Sequence, residues 1–165
     1  TSDRYRNVIG IFMNKILMNE PMTVFGDGLQ TRAFSDISDV APIIAATIER
    51  KECYGEIINV GADQPYTILE MAEAVSVAMG VEPNIIHLEE RYEVKHAYSS
   101  HDKLNRLMGD LRKNVSLEEG LKKMARWVKE VGAREPSKFA AIEIHRKIYD
   151  FWKIEDLNAD DKKAA

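Results

Sequence analysis

The stretch from Thr23 to Asp39, T-V-F-G-D-G-L-Q-T-R-A-F-S-D-I-S-D, limits what this chain can fold into more than any other. It opens on a β-favouring run, Thr23-Val24-Phe25, and turns on Gly26-Asp27-Gly28. An Asp-Gly pair supplies the positive φ angles of a tight turn, so the reading is a chain reversal into a hairpin. A second extended piece covers Ala33 to Ile37, and Asp39 falls where a helix N-cap belongs. Arg32 therefore stands at the mouth of a turn, beside a strand start. A planar guanidinium there can take two phosphate oxygens at once, which a lysine cannot do equally well. The same residues also suit a surface hairpin whose arginine sits in a salt bridge, because Gly-Asp-Gly is a weak motif. Local chemistry leaves both readings open.

With 165 residues the chain is long enough for one domain with a real hydrophobic core. A formal charge of −4 argues against a general nucleic-acid or anionic-membrane surface, without forbidding a local basic pocket. Cys53 is the only cysteine, which excludes an intrachain disulfide and a thiolate metal cluster. No apolar run reaches membrane-spanning length and no signal-peptide pattern opens the chain, so the expected location is cytoplasmic. The four histidines, His87, His96, His101 and His145, show no i, i+4 pair and no ligand spacing to the cysteine, so no metal site is expected. Asp36 and Asp39 do not make a glycosidase pair: Asp39 is better used as a cap, and the stretch lacks sugar-facing aromatics.

Around this stretch the pattern alternates. Residues 7 to 19 read as a helix with Val8, Ile9, Phe12 and Ile16 on its apolar face, capped by Asn7 and closed by Asn19 and Pro21. Asp39 to Lys51 reads as a second helix with Val40, Ile43, Ile44, Thr47 and Ile48 buried. Glu56 to Gly61 reads as a short strand buried on both faces. Thr67 to Met79 is a third helix with a Thr67/Glu70 capping box and Gly80 as its stop, followed by a strand over 84–88. Further helices start at Ser100-His101-Asp102 and at Ser116, the latter with a second capping box to Glu119. The class is α/β, mostly helical with short strands. Residues 133–157 read as an aromatic-rich helical tail and 158–165 as a disordered terminus.

Val24-Phe25-Gly26-Asp27-Gly28, Gln30-Thr31-Arg32-Ala33-Phe34 and Asp39-Val40-Ala41, taken in that order, resemble the extended short-chain dehydrogenase/reductase family. More narrowly, they resemble its NAD-dependent nucleotide-sugar epimerases and dehydratases, of the UDP-glucose 4-epimerase type. The resemblance runs over roughly residues 5 to 130 and implies the carboxyl-terminal, substrate-binding part of a Rossmann-type fold, here residues 1–132. It implies an upstream domain with a Gly-x-x-Gly-x-x-Gly turn that binds NAD and a catalytic Tyr-x-x-x-Lys pair. No glycines in this chain show that spacing. Catalytic and cofactor-binding residues are thus expected outside this chain, which by itself should be inactive.

What the resemblance assigns here is the nucleotide-sugar. Asn7 and Val8 correspond to the helix start that faces the diphosphate, and Thr23 and Phe25 to positions along the nucleotide base. From sequence alone, Phe25 serves equally as a core residue. Arg32 and Arg91 correspond to the two diphosphate arginines, and Glu93 to a carboxylate on a ribose hydroxyl. Arg91-Tyr92-Glu93 is one residue shorter than the family's Arg-x-Gly-Asp, and Arg91 also suits a solvated loop between glutamates. The expected partner is a UDP-sugar or other nucleotide-sugar, the expected assembly a homodimer of the parent enzyme. The expected activity is interconversion of UDP-glucose and UDP-galactose. A 4,6-dehydratase or decarboxylase on the same scaffold is the alternative within the class; a non-catalytic nucleotide-binding or assembly module is the alternative outside it.

Overall fold

The computed structural model describes residues 7–135, so that almost all of the expected tail lies outside the described residues. Helix α1, Val8–Leu17, buries Phe12 and Met13. It ends in a left-handed Asn19 (φ 56°), whose N–H donates to the Ile16 carbonyl while that of Glu20 donates to Lys15. These crossed bonds satisfy the last carbonyls and turn the chain, and Pro21 prevents the helix from continuing. The expected Asn7 cap is not formed. Asn7 is itself left-handed (φ 69°, ψ 62°) and its side chain makes no capping bond, which calls for an extended backbone at that position.

Strand β1, Met22–Phe25, puts Met22 and Val24 into the core and Thr23 and Phe25 on the opposite, half-buried face. The turn at Gly26 and Gly28 forms with φ of 65° and 76°, and Asp27 Oδ1 accepts from the Leu29 amide at 2.9 Å. The hairpin does not form. Beyond the turn, the carbonyls of Gly28 and Gln30 accept from the Leu69 and Ile68 amides, both at 3.2 Å, which ties this segment to the next long helix. Strand β2, Thr31–Ala33, is thereby led into another sheet, antiparallel to β3 (Pro65–Thr67) and parallel to β5 (His96–Ala97). The partner of β1 is β4, Ile85–Leu88, in parallel, with Phe25 opposite Leu88.

Helix α2 spans Ile37–Ala46, two residues earlier than the sequence suggests. Asp36 is its cap, accepting from the Ser38 amide at 2.8 Å and the Ser38 hydroxyl at 2.6 Å. Asp39 instead accepts from the backbone amides of Lys113 and Val115 at 3.0 and 2.7 Å, fastening a distant loop to α2. The expected buried face is also corrected. Ile43 is buried, but Ile44 and Ile48 are exposed, because no described element packs on that side. Glu56 to Gly61 is not a strand, since it has no partner to pair with among the described residues. Ile57 is 86% exposed, while Ile58 and Val60 rest on a small cluster of Ile43, Cys53, Leu104 and Met108.

Helix α3, Ile68–Met79, carries the expected reciprocal Thr67/Glu70 capping box and stops at Gly80 (φ 72°). Helix α4 is Asp102–Met108 and α5 is Leu117–Val131. Ser116 caps α5 by accepting from the Glu119 amide, without the return bond of a full box. Helices α1, α3 and α5 pack together over β1 and bury Phe12, Met13, Met71, Val75, Leu121 and Val128. The architecture is α/β, as the sequence pattern requires. Among the described residues no helix is long and apolar enough to cross a membrane.

Candidate functional site

The carboxyl ends of the parallel strands β1 and β4 open onto one group of polar and aromatic side chains. Because Met22 and Val24 take the core face of β1, Phe25 must present its ring on the other side. Arg91, three residues past β4, lies over that ring with its guanidinium carbon 3.7 Å from the ring centroid. This is close cation–π geometry, and it removes Phe25 from the core. Gly26, at φ 65°, allows the approach of the same loop: a Cβ there would meet Glu90 Cγ at 3.3 Å. His87 on β4 holds the turn from the side, with Nδ1 2.7 Å from the Gly26 carbonyl.

Arg32 enters from β2. Its Nη2 lies 3.1 Å from Glu93 Oε2, and its Nη1 donates to the carbonyls of Thr31 at 2.8 Å and Lys95 at 3.2 Å. Gln30 links the two halves: its Nε2 donates to the Phe25 carbonyl and to Glu93 Oε1, both at 3.2 Å. Thr31 Oγ1 and His96 Nδ1, 2.9 Å apart, brace β2 against β5. The structure therefore brings together Phe25, Arg32, Arg91 and Glu93 of the residues singled out from sequence. Thr23 shares the Phe25 face of β1 one strand repeat away. Asn7 and Val8 make no hydrogen bond to this group, and Val8 packs against the core. Gln30 belongs to the family-like motif, but a glutamine bridging two loops has no signature in spacing that would mark its role.

A second polar cluster, which no sequence motif marks, joins Asp63, Ser99, His101 and Arg112. His101, 5% exposed, places Nδ1 2.6 Å from Asp63 Oδ1 and Nε2 3.1 Å from Ser99 Oγ. Arg112 reaches Asp63 Oδ2 at 2.9 Å and the Gly61 carbonyl at 3.1 Å. Burial by itself would raise the Asp63 carboxyl, but the hydrogen bonds from His101 and Arg112 outweigh it and hold the group below its ordinary value. The Asp–His–Ser order is that of a hydrolytic triad. Here, however, the Gly61 backbone covers the imidazole: a Cβ on Gly61 would sit 3.3 Å from Nε2. The cluster fastens the 61–63 segment to the start of α4. A separate groove of about 420 Å³ runs between α1, the β2–α2 connection and α5, lined mainly by apolar groups such as Phe34, Leu121 and Trp127. Neither arginine of the β1–β4 site reaches it.

Among the described residues, no glycine-rich turn joins a strand to a helix in the manner of a dinucleotide site. A glycine-rich turn of that kind joins a strand to a helix whose N-terminus receives the pyrophosphate. The glycine turn after β1 leads into β2, and no glycine follows β4 before β5. The Tyr-x-x-x-Lys spacing occurs once, at Tyr149 and Lys153. Those residues follow the family-like segment, where the resemblance places the catalytic pair ahead of it, and they lie outside the described residues.

Residues 1–61 match the model of the NAD dependent epimerase/dehydratase family. A UDP-N-acetyl-alpha-D-glucosaminuronate decarboxylase from Bacillus cytotoxicus is 32% identical over 134 residues, 77% of this chain and 41% of that protein. A putative UDP-glucose 4-epimerase from Methanocaldococcus jannaschii is 31% identical over 123 residues, 74% of this chain and 39% of that protein. The crystal structure of UDP-glucuronic acid 4-epimerase from Bacillus cereus, in complex with UDP-glucuronic acid and NAD, superposes with a TM-score of 0.69 at 28% identity. That match covers 76% of this chain and 40% of the epimerase. The chain spans about two fifths of the length of the curated relatives it matches. It belongs to the NAD-dependent nucleotide-sugar epimerase/dehydratase family of extended short-chain dehydrogenases/reductases.

Proposed function

We propose that this segment holds the nucleotide diphosphate of a UDP-sugar, with Arg32 and Arg91 on the diphosphate and Phe25 and Thr23 along the base. The observation that carries the reading is the Arg91–Phe25 stack beside Arg32: two guanidinium groups and an aromatic ring at the open end of a parallel strand pair. Clefts outside the carboxyl ends of parallel strands are where α/β proteins bind ligands. In the intact enzyme the segment would orient the sugar for chemistry carried by NAD and by residues other than these. Two reactions fit equally. The relatives include a decarboxylase at 32% identity and a 4-epimerase at 31%, and no residue of the described group separates them. Product analysis of the intact enzyme with UDP-glucose and UDP-glucuronate, resolved by NMR, decides between them.

Titration calorimetry of the chain with UDP and with uridine tests the binding role. Arg32→Ala and Arg91→Ala should each weaken UDP by roughly 2–4 kcal/mol, the scale for losing a charge-assisted contact, and leave uridine nearly unchanged. The two losses should be less than additive, because both groups hold one diphosphate. If Arg32→Ala weakens UDP and uridine equally, or lowers melting temperature without touching affinity, Arg32 is scaffold.

A further inference from the structure

The contact between Arg32 and Glu93 has the chemistry of a ligand contact made inside the chain. A carboxylate oxygen stands 3.1 Å from Arg32 Nη2, where a phosphate oxygen would be received. Both Nη1 bonds, to the Thr31 and Lys95 carbonyls, are to backbone and fix the guanidinium plane independently of Glu93. Three of the five guanidinium donors are thus engaged, and only the Glu93 contact is to a side chain that can swing away. Glu93 belongs to the connection between β4 and β5, and its side chain is 30% exposed, so its carboxylate has water to move into. Its other oxygen is held by Gln30, which is anchored in turn on the Phe25 carbonyl.

We propose that Glu93 is an internal competitor for the anion site: its carboxylate occupies Arg32 until a ligand diphosphate displaces it. Gln30 positions that carboxylate, so the pair sets affinity for the diphosphate. This rests on the reading of Arg32 as a diphosphate ligand and departs from the expectation that Glu93 serves a ribose hydroxyl. The two side chains of this single ion pair are still 25% and 30% exposed to screening water, and a diphosphate carries more charge than one carboxylate, so displacement is feasible.

The two roles give opposite signs. In calorimetric titrations of the full chain at low ionic strength, Glu93→Gln and Glu93→Ala should bind both UDP and inorganic pyrophosphate about 3- to 10-fold more tightly than the parent. Uridine binding should not change, and the gain should vanish in an Arg32→Ala background. Gln30→Ala, which frees the carboxylate from its second anchor, should give a smaller gain of the same sign. Weaker UDP binding by Glu93→Gln with pyrophosphate unaffected would overturn the proposal and return Glu93 to the ribose. Unchanged affinity for both would also overturn it. If Arg32→Ala binds UDP as well as the parent does, the diphosphate reading itself fails, a result distinct from either.

Discussion

Asn14 and Arg134, 120 positions apart, grip each other through two hydrogen bonds: Asn14 Nδ2 donates to the Arg134 carbonyl at 2.8 Å, and the Arg134 amide donates to Asn14 Oδ1 at 2.9 Å. Asn14 is 4% exposed on the inner side of α1, so its amide acts as a backbone surrogate for the segment that leaves α5. Asn14→Ala strands both backbone groups and should lower stability by about 2–3 kcal/mol in urea unfolding. Asn14→Asp keeps the acceptor but sets a carboxylate against the Arg134 carbonyl, and should be no better.

Two left-handed glycines separate backbone strain from steric clash. At Gly28 a Cβ would stand 2.6 Å from Leu69 Cγ and 2.9 Å from Val24 Cγ1, whereas at Gly55 (φ 73°) nothing lies within 4 Å. Gly55→Ala should cost about 1 kcal/mol from conformation alone. Gly28→Ala adds overpacking against two core side chains and should cost about 3 kcal/mol in all, read from paired thermal melts.

Acid should destabilise the fold through Asp36 and Asp63. The Ser38 hydroxyl and amide bonds hold the Asp36 carboxyl below its ordinary value of 3.8, and the His101 and Arg112 bonds, against the opposing effect of burial, do the same for Asp63. A carboxyl depressed in the folded state adds stability above its unfolded value, and that contribution is lost as pH falls from there through the folded value. Urea midpoints should therefore hold between pH 7 and 5 and fall below about pH 4. Asp63→Asn should start lower at neutral pH and fall less steeply in acid; an unaltered slope would assign the acid effect elsewhere.

The outer face of α2 and its neighbourhood should govern solubility. Ile37, Ile44, Ile48 and Ile57 are 72%, 57%, 77% and 86% exposed, a concentration of apolar surface that monomers rarely display. Sedimentation of the chain at micromolar concentration should show self-association, and Ile44→Glu with Ile48→Glu should reduce it without lowering the melting temperature. Association unmoved by that pair would point to another surface.

Those isoleucines also show how far a sequence carries the fold. The capping box at Thr67, the stop at Gly80 and the turn at Gly26–Gly28 were legible because each rests on contacts a few residues long. Helix α2 and the 56–61 segment depart from the sequence pattern for the opposite reason. The sequence reading buries Ile44, Ile48 and Ile57 along with Ile43, Ile58 and Val60, yet burial needs an opposing element, and among the described residues only the latter three find one. Asp39 reads as a cap because it stands near a helix start; its bonds go to Lys113 and Val115, which no local pattern indicates. In the site, the motif order marked Arg32 and Arg91. That Phe25 lies under Arg91, and that Glu93 and Gln30 close on Arg32, follows from register between strands far apart in the chain.

The parallel pairing of β1 with β4 has a consequence for how the molecule assembles. Met22 and Ile85 are about sixty residues apart in the chain, and closing so long a loop costs entropy before any strand bond repays it. The contacts of α1 with β1 span one short turn, whereas those of β1 with β4 close a loop that contains β2, α2, β3 and α3. The arginine cleft, set at the ends of those strands, is then among the last features to form during refolding. Recovery of UDP binding in a stopped-flow experiment should lag behind recovery of helical signal, so that ligand capture times the final step of folding.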